Sequence, residues 1–508
     1  LIVDQKIMDF DNNFGIKPLP NLEFKFVTAN TLIKLQRQMT LFDNAIGINE
    51  LKEIRSMYFN ATGDERNLYK EKFYEIQKNI LKKSENENSS SLADLSTQLS
   101  NWDPFSNIKQ EWFDPEWMLG IESGFDIVIS NPPYINADEM SSSEKGKKLR
   151  ELIKKDYITT EGNWNLFIPF IEKGINLLKS NGILSFIIPN SLLNSKYASS
   201  ARKYISNKNI IEIRDYSTIS VFEDAFVYPI TILLQNSNSS KTKATNLIKM
   251  QSLELINSTQ IISGLSINLH SWDYYFQNSE IKNILDKLFE SSQNDSLNLD
   301  IRTAGHTNQV YAIKDLMFDT NKILDSKKLI TAGTIDKYKS LWGVDKTRRG
   351  GTVSKYPIIK NFDLRNLNKI WFNQANSKKV LVATMSKVIE AYYDDEGQYM
   401  YWRPGTIVLG EKKELLEFLG IINSKVSDFF VNFYYHSKKL QGGYINLNAD
   451  IVKSIPVPLI SDSSFHKLVE KQNNFFDKSR MDEINKKVYS MFNLSKNEIS
   501  IIEKSIQN

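Results

Sequence analysis

The chain has 508 residues, of which 41% are hydrophobic and 24% charged, enough apolar side chains for more than one buried core. It contains no cysteine, which excludes disulfides, thiolate metal sites and a cysteine nucleophile; the four histidines, His270, His306, His436 and His466, have no metal-ligand spacing. The formal net charge of +4 is compatible with nucleic acid without requiring it, and no run approaches eighteen consecutive apolar residues, so no membrane partner is expected.

The opening residues, LIVDQKIMDF, show no signal-peptide pattern and start on an apolar stretch without methionine, which predicts that the protein extends upstream. Residues Glu23 to Val27 alternate as a short strand closed by Thr28 to Asn30. Helical periodicity covers 43–90, with apolar positions at Leu51, Ile54, Met57, Phe73 and Ile76, until the polar stretch SENENSSS (84–91) breaks it. The most regular portion is 120–240. GFDIVIS (124–130) reads as a buried strand and 163–179 as a helix with one apolar face. Asn181–Gly182 read as a stop, followed by a strand over 183–189. Residues 200–208 read as a helix, with further strands at 210–216 and 228–235. This rhythm predicts an α/β fold with a covered, mostly parallel sheet. NSNSSKT (236–242) is a polar break. Beyond it, 272–292 is helical, 300–410 holds short β-like runs, 411–437 is amphipathic and helical, and 465–506 closes the chain with helices.

In GFDIVISNPPYI (124–135) an apolar strand ends directly in Asn131-Pro132-Pro133-Tyr134. Active sites of open α/β folds lie beyond the carboxyl ends of strands. An exocyclic amine of adenine is a poor nucleophile because its lone pair is spread into the ring. Acceptors aimed at its hydrogens favour the developing tetrahedral nitrogen. The Asn131 amide oxygen and the Pro132 carbonyl are suited to this, and two prolines stiffen the turn that carries them. Tyr134 can stack on a base that has left the duplex. Asn-Pro and Pro-Pro are also ordinary turn formers, so the tetrapeptide alone does not decide.

With its flanking segments, the chain resembles the gamma-class adenine-N6 DNA methyltransferases, and among them the type IIG restriction–modification enzymes. The resemblance implies a partial Rossmann-like class I methyltransferase domain, then a mixed α+β target-recognition domain and C-terminal helices. It implies S-adenosylmethionine as methyl donor, double-stranded DNA as partner and a bacterial cytoplasmic setting. By the same resemblance Asn131, Pro132 and Tyr134 hold the flipped adenine. EGNWNLFIPFIEKGINLLKSNGILSFIIPNSLL (161–193) matches the next helix and strand, with Asn163 and Asn165 near the cofactor. ARKYI (201–205) matches the basic helix. VFEDAFVYPITILL (221–234) supplies Phe222 or Phe226, beside Pro133, as a wall of the base pocket; each is equally suited to a core. NLEFKFVTANTL (21–32) points to Asn30 near the cofactor, although Asn30 serves equally as a cap for a following helix. The family's Gly-rich donor loop is not found, which predicts an upstream part of the same protein as a partner and poor donor binding without it. No strand-borne carboxylate cluster is found either. Asp394-Asp395-Glu396 reads as a solvated turn, so Mg2+ is expected only if the whole protein carries a nuclease domain.

Three phrases resemble a target-recognition region. In IRTAGHTNQVYAI (301–313) a glycine turn leads into an extended strand; KKLITAGTIDKY (327–338) and YINLNADIVKSIPVP (444–458) follow. Between them KYKSLWGVDKTRRGG (337–351) interleaves Lys337, Lys339, Lys346, Arg348 and Arg349 with Tyr338 and Trp342. YYHSKKLQGGY (434–444) adds His436, Lys438 and Lys439 beside two glycines. Such side chains neutralise phosphates and arginine reads guanine, although any single basic pair is equally a solvated loop. The expected organisation is the C-terminal portion of a methyltransferase domain over 1–245, a recognition domain over 246–460 and a helical segment over 461–508. Alternatives are a methyltransferase of RNA or of protein glutamine, and a non-catalytic DNA-specificity or phage-defence module.

Overall fold

The computed structural model describes residues 21–35, 48–85, 98, 102–106, 108–217, 219–222, 228–238, 244–263, 271–294, 298–304, 310–322, 325–349, 352–403, 405–439 and 442–507. The chain divides into two compact units, Leu1–Gly264 and Leu265–Asn508. No helix among the described residues is long and apolar enough to cross a membrane.

The first unit is organised by a six-stranded sheet. Its strands are β1 (Phe125–Ser130), β2 (Leu178–Pro189), β3 (Lys208–Asp215), β4 (Pro229–Asn238), β5 (Ala244–Met250) and β6 (Ile256–Ser263), in the order β1-β2-β4-β3-β5-β6. The sheet is mixed and not mostly parallel: β1 with β2 and β3 with β5 run parallel, while β4 lies antiparallel between β2 and β3. The strand–helix rhythm could not reveal this, because the connection from β3 to β4, residues 216–228, holds no crossover helix among its described residues. Residues 246–263, expected to open the recognition region, belong to this sheet as β5 and β6.

Alternating burial along β2 and β4 puts Leu184, Phe186, Ile188, Ile230, Ile232 and Leu234 in the core. The helix Phe167–Asn176 covers β2, and the helix Ser199–Ser206 packs on β3. Gly174 permits the close approach: a Cβ there would lie 2.6 Å from the Phe186 ring and 2.8 Å from Leu184. Asn181–Gly182 do not stop an element. They lie inside β2, where Asn181 takes φ +63° and the pairing with β1 shifts register between Phe125 and Ile127. Such a bulge adds residues on one strand without ending it.

β1 is not buried as its apolar run suggested. It occupies the sheet edge, and Ile127 and Ile129 are 59% and 76% exposed. A strand is buried on both faces only where packed layers cover both, and β1, which among the described residues pairs with β2 alone, leaves Ile127 and Ile129 uncovered.

Upstream, the helices Ile48–Asn60 and Asp64–Glu85 bear out the helical periodicity, broken at Ala61–Gly63. Phe24 sits at the centre of their aromatic core, edge-on to Tyr58, Phe73, Trp102 and Phe105 at 5.3–6.3 Å. Glu23–Lys25 is a single 3-10 turn instead of a strand, since it buries Phe24 alone and finds no strand to pair with.

In the second unit the strands are β7 (Asp300–Ala304), β8 (Met317–Asp319), β9 (Ser326–Ile330), β10 (Ile335–Asp336), β11 (Lys339–Ser340), β12 (Thr347–Arg349), β13 (Thr352–Ser354), β14 (Pro357–Lys360), β15 (Lys379–Val382), β16 (Met385–Ser386), β17 (Ala391–Asp394), β18 (Tyr399–Tyr401), β19 (Gly405–Leu409) and β20 (Ile445–Asn446). They form two four-stranded sheets, β18-β9-β14-β8 and β17-β15-β19-β7, with three two-stranded pairs. The extended strand expected near 305–313 is a helix, Val310–Leu316, whose Ile313 is buried with Leu329, Ile359 and Trp371. The helices Lys412–Ile422 and Lys425–Tyr434 share one apolar core with Phe465–Asn474, Lys478–Met491 and Lys496–Gln507, through Leu416, Leu419, Phe429, Phe465, Val488 and Ile502. The acidic turn is not simply solvated. Asp394 is 2% exposed and ion-paired to the equally buried Lys379 at 2.6 Å.

Candidate functional site

The Asn131–Tyr134 segment leaves the carboxyl end of β1 and runs without regular secondary structure to Asn136, whose side chain caps the short helix Ala137–Met140 by accepting from the Glu139 N–H at 2.9 Å. Within it the side chains differ sharply. Asn131 is exposed, and its carboxamide makes no hydrogen bond among the described residues. Pro132 is buried, and its carbonyl accepts no backbone hydrogen bond among them. Pro133 is exposed. Tyr134 is half-buried, its hydroxyl donating to the Ile187 carbonyl of β2 at 3.1 Å. Loss of hydration pushes the Tyr134 hydroxyl up to about 12, so the ring stays neutral. Two free acceptors therefore stand beside a fixed aromatic face.

Phe222 meets that face edge-on, with ring centroids 6.3 Å apart at 67°. Of the two aromatic candidates it is the one beside Tyr134; Phe226 lies outside the described residues.

The loop 161–166 is tied to the same segment, since the Leu166 N–H donates to the Ile135 carbonyl at 2.9 Å. Asn163 is exposed and makes no hydrogen bond among the described residues. Asn165 donates through Nδ2 to the Tyr197 hydroxyl at 2.9 Å, and Tyr197 donates to Ser191 Oγ at 2.8 Å. Its side-chain oxygen remains available. Asn30 is placed differently. Its Oδ1 accepts from the Leu32 N–H at 3.3 Å and closes a turn, not a helix, and it makes no hydrogen bond to Asn131–Tyr134. The segment around it is held instead by Tyr157, whose hydroxyl donates to the Leu32 carbonyl at 2.8 Å.

Sequence reasoning missed the group that holds this loop. Arg150, on the helix Glu144–Asp156, lies 4.1 Å from the Trp164 ring centroid and donates to the Trp164 carbonyl at 2.8 Å and the Gly162 carbonyl at 3.3 Å. Stacking on an aromatic face and forking between carbonyls both depend on the planar guanidinium. Nothing local in the sequence links Arg150 to a loop a dozen residues on.

The basic segments of the second unit are less free than their sequence suggested. Lys337 is not available to a phosphate: its ammonium pairs with buried Asp428 at 2.7 Å and donates to the Asn423 carbonyl at 2.7 Å. Trp342 is also structural. Its indole N–H donates to the Pro357 carbonyl at 3.0 Å, Tyr356 meets it edge-on at 5.4 Å, and Lys328 lies 5.2 Å from its ring. Lys339 pairs with Asp336 at 3.0 Å. Lys346 is exposed. Arg348 and Arg349 lie in β12, their side chains outside the description. His436 and Lys438 occupy a 3-10 turn, and Lys439 follows it; all three are half-buried and engaged, Lys438 lying 5.1 Å from the Tyr435 ring. Among the described residues no group of three or more His, Asp or Glu is placed to hold a metal.

Comparison with known proteins follows this geometry. Residues 25–222 match the family described as Eco57I restriction-modification methylase. A type II methyltransferase, M.BstVI from Geobacillus stearothermophilus, is 23% identical over 79% of this chain and 81% of its own length. The type II restriction enzyme and methyltransferase RM.Eco57I from Escherichia coli is 26% identical over 22% of this chain, a stretch that spans 11% of that protein. Among solved structures, the type IIG restriction endonuclease BpuSI aligns with 82% of this chain and 57% of its own, at 13% identity and a TM-score of 0.33.

Proposed function

We propose that this chain, joined to an upstream donor-binding part, transfers a methyl group from S-adenosylmethionine to N6 of adenine in double-stranded DNA, in keeping with the match of residues 25–222 to the Eco57I restriction-modification methylase family. The observation that carries this reading is the pairing of an unengaged Asn131 carboxamide with the anchored ring of Tyr134 at the carboxyl end of β1.

In this reading the adenine leaves the duplex and stacks on Tyr134, with Phe222 closing one side of the pocket. The base–aromatic contact is worth about 1–3 kcal/mol. Asn131 Oδ1 and the Pro132 carbonyl each accept one hydrogen of the exocyclic amine, drawing its lone pair out of the ring toward the methyl group. Neither acceptor is engaged by a hydrogen bond among the described residues, so none has to be broken when the amine binds. S-adenosylmethionine, when bound, supplies an electrophilic methyl on a sulfonium, so no protein nucleophile is required.

The donor set fits that group in part. Asn163 and the Asn165 oxygen offer free polar atoms on the loop tied to Ile135. Asn30 is the weakest of the three, being engaged in its own turn. The outer edge of β1, unpaired among the described residues, supports a further strand pairing there. We assign that strand to an upstream, donor-binding part of the same protein. The whole protein would then modify DNA in the bacterial cytoplasm, and would cleave it with Mg2+ only if it also carries a nuclease domain.

The test is methyl transfer from labelled S-adenosylmethionine by the chain joined to its upstream part, offered duplex DNA, RNA and protein in parallel. Label recovered as N6-methyladenine from duplex DNA supports the reading. Label in RNA or glutamine alone, or in cytosine, overturns it.

A further inference from the structure

The second unit holds a cleft of about 530 Å³ that the basic segments do not line. Strands of both four-stranded sheets feed it. From one sheet, β9 runs out into Thr331 and β18 into Arg403; from the other, β7 contributes Thr303, β15 runs on to Thr384 and β19 begins at Gly405. Asn446 of β20 completes the rim.

Its floor is rigid. The buried Tyr401 hydroxyl donates to the Val382 carbonyl, and the buried Thr406 hydroxyl donates to the Leu447 carbonyl at 3.0 Å. Gly405 is required by the close packing, since a Cβ there would stand 2.4 Å from the Tyr401 ring. The rim is free by contrast: Arg403 and Asn446 are exposed, and neither side chain makes an ion pair or hydrogen bond among the described residues.

No carboxylate lines the cleft, so the Arg403 charge is uncompensated and the lining suits no divalent cation. The lining instead offers one guanidinium, the carboxamides of Asn446 and Asn448, and several hydroxyls; Asn448 Oδ1 accepts from the Ile451 N–H at 3.0 Å as a helix cap, which leaves Asn446 as the unengaged carboxamide. A guanidinium donates two hydrogen bonds to O6 and N7 of guanine, and a carboxamide both donates to and accepts from the N7 and N6 edge of adenine. The rigid floor fixes the backbone from which Arg403 and Asn446 project, and their side chains remain unengaged and open to a base, whereas Lys337 and Trp342 are held in internal contacts.

We propose that this cleft reads base edges of duplex DNA, with Arg403 and Asn446 as sequence-discriminating residues. The proposal rests on the DNA-methylation reading and says where its sequence choice is made.

The experiment is selection of bound duplexes from a random pool by the 508-residue chain, comparing wild type with Arg403→Ala, Arg403→Lys and Asn446→Ala, each checked by thermal unfolding. Wild type should enrich a motif. Arg403→Ala should lose selection at a guanine, with affinity for the enriched duplex falling roughly tenfold or more. Arg403→Lys keeps the charge without the fork, so it should hold non-specific affinity and still relax that position. Asn446→Ala should relax an adenine. Folded variants that enrich the wild-type motif with wild-type affinity would overturn the cleft assignment and leave the methylation reading standing. A wild-type chain that binds no duplex DNA would overturn the cleft assignment as well, while the methyl-transfer assay separately decides the reading beneath it.

Discussion

Replacing Asp394 by alanine gives the sharpest test of how the second unit is held together. The Asp394 carboxylate and the Lys379 ammonium are each 2% exposed and 2.6 Å apart. Asp394 also accepts from the Gln398 N–H at 2.9 Å and the Tyr399 N–H at 3.0 Å, while Lys379 donates to the carbonyls of Ala375 at 2.9 Å and Ser377 at 3.1 Å. Removing the carboxylate strands a buried cation and two backbone donors. Breaking a buried pair from one side costs about 3–5 kcal/mol. For a unit of this size that lowers the unfolding midpoint by roughly 6–20 °C. Asp394→Leu combined with Lys379→Met removes both charges together and should cost far less than the sum of the two single changes, because no uncompensated charge remains. Thermal and urea unfolding of the four proteins gives the cycle. A single-variant loss below about 1 kcal/mol, or a double variant as unstable as the sum, would refute the argument that the pair is a desolvated strut.

Other expectations follow from the same geometry. Lys337→Ala should destabilise by about 3–5 kcal/mol, since buried Asp428 loses its cation and, among the described residues, keeps only the Ile389 N–H as a hydrogen-bond donor; unfolding measured beside DNA affinity separates this from phosphate binding, and Lys346→Ala should change affinity without changing stability. Tyr134→Phe loses only the bond to the Ile187 carbonyl, so it should cost about 1 kcal/mol in unfolding and retain base stacking, whereas Tyr134→Ala should weaken binding to flipped or abasic-opposed adenine. Lys173 is 6% exposed, and burial, aided by repulsion from Lys34, depresses its ammonium from 10.5 to about 8. Between pH 8 and 10.5 the unfolded chain therefore binds more protons, so wild-type stability should rise with pH relative to Lys173→Met, by up to about 3 kcal/mol. A flat difference over that range would contradict a buried, charged Lys173. Arg150→Lys should raise the concentration of methyl donor needed for half-maximal rate more than it lowers the maximal rate, because it loosens the loop carrying Asn163.

What was legible in the sequence was whatever depends on local pattern. The apolar run before Asn131, the helix over Phe167–Asn176 and the closing helices all follow from periodicity and turn chemistry. Properties set by neighbours distant in the chain were not legible. The apolar run of β1 carries no mark of its place at the sheet edge, and nothing in β4 signals that it inserts antiparallel between β2 and β3. The site followed the same division. Asn131 and Tyr134 could be named from one tetrapeptide beside one strand, whereas the choice of Phe222 rests on its ring contact with Tyr134, a neighbour distant in the chain. Charge patterning misled at Lys337, because a lysine between exposed-looking neighbours gives no sign that an aspartate some ninety residues later waits beneath it. Arg150 and Arg403 were invisible for the same reason: each matters through tertiary contacts or openings, not through a motif.

The central claim is that Asn131 and Pro132 hold the amine that is methylated. The most direct measurement is the single-turnover rate of labelled methyl incorporation into duplex DNA by the chain joined to its upstream part, for wild type and Asn131→Ala. Asn131 is exposed and makes no hydrogen bond within the protein, so the variant should unfold at the wild-type temperature and bind DNA as wild type does. Its rate should fall by about 10²–10³-fold, the loss seen when one preorganised partner of a transition state is removed. An Asn131→Ala protein that is folded, DNA-bound and methylates at the wild-type rate would contradict the account.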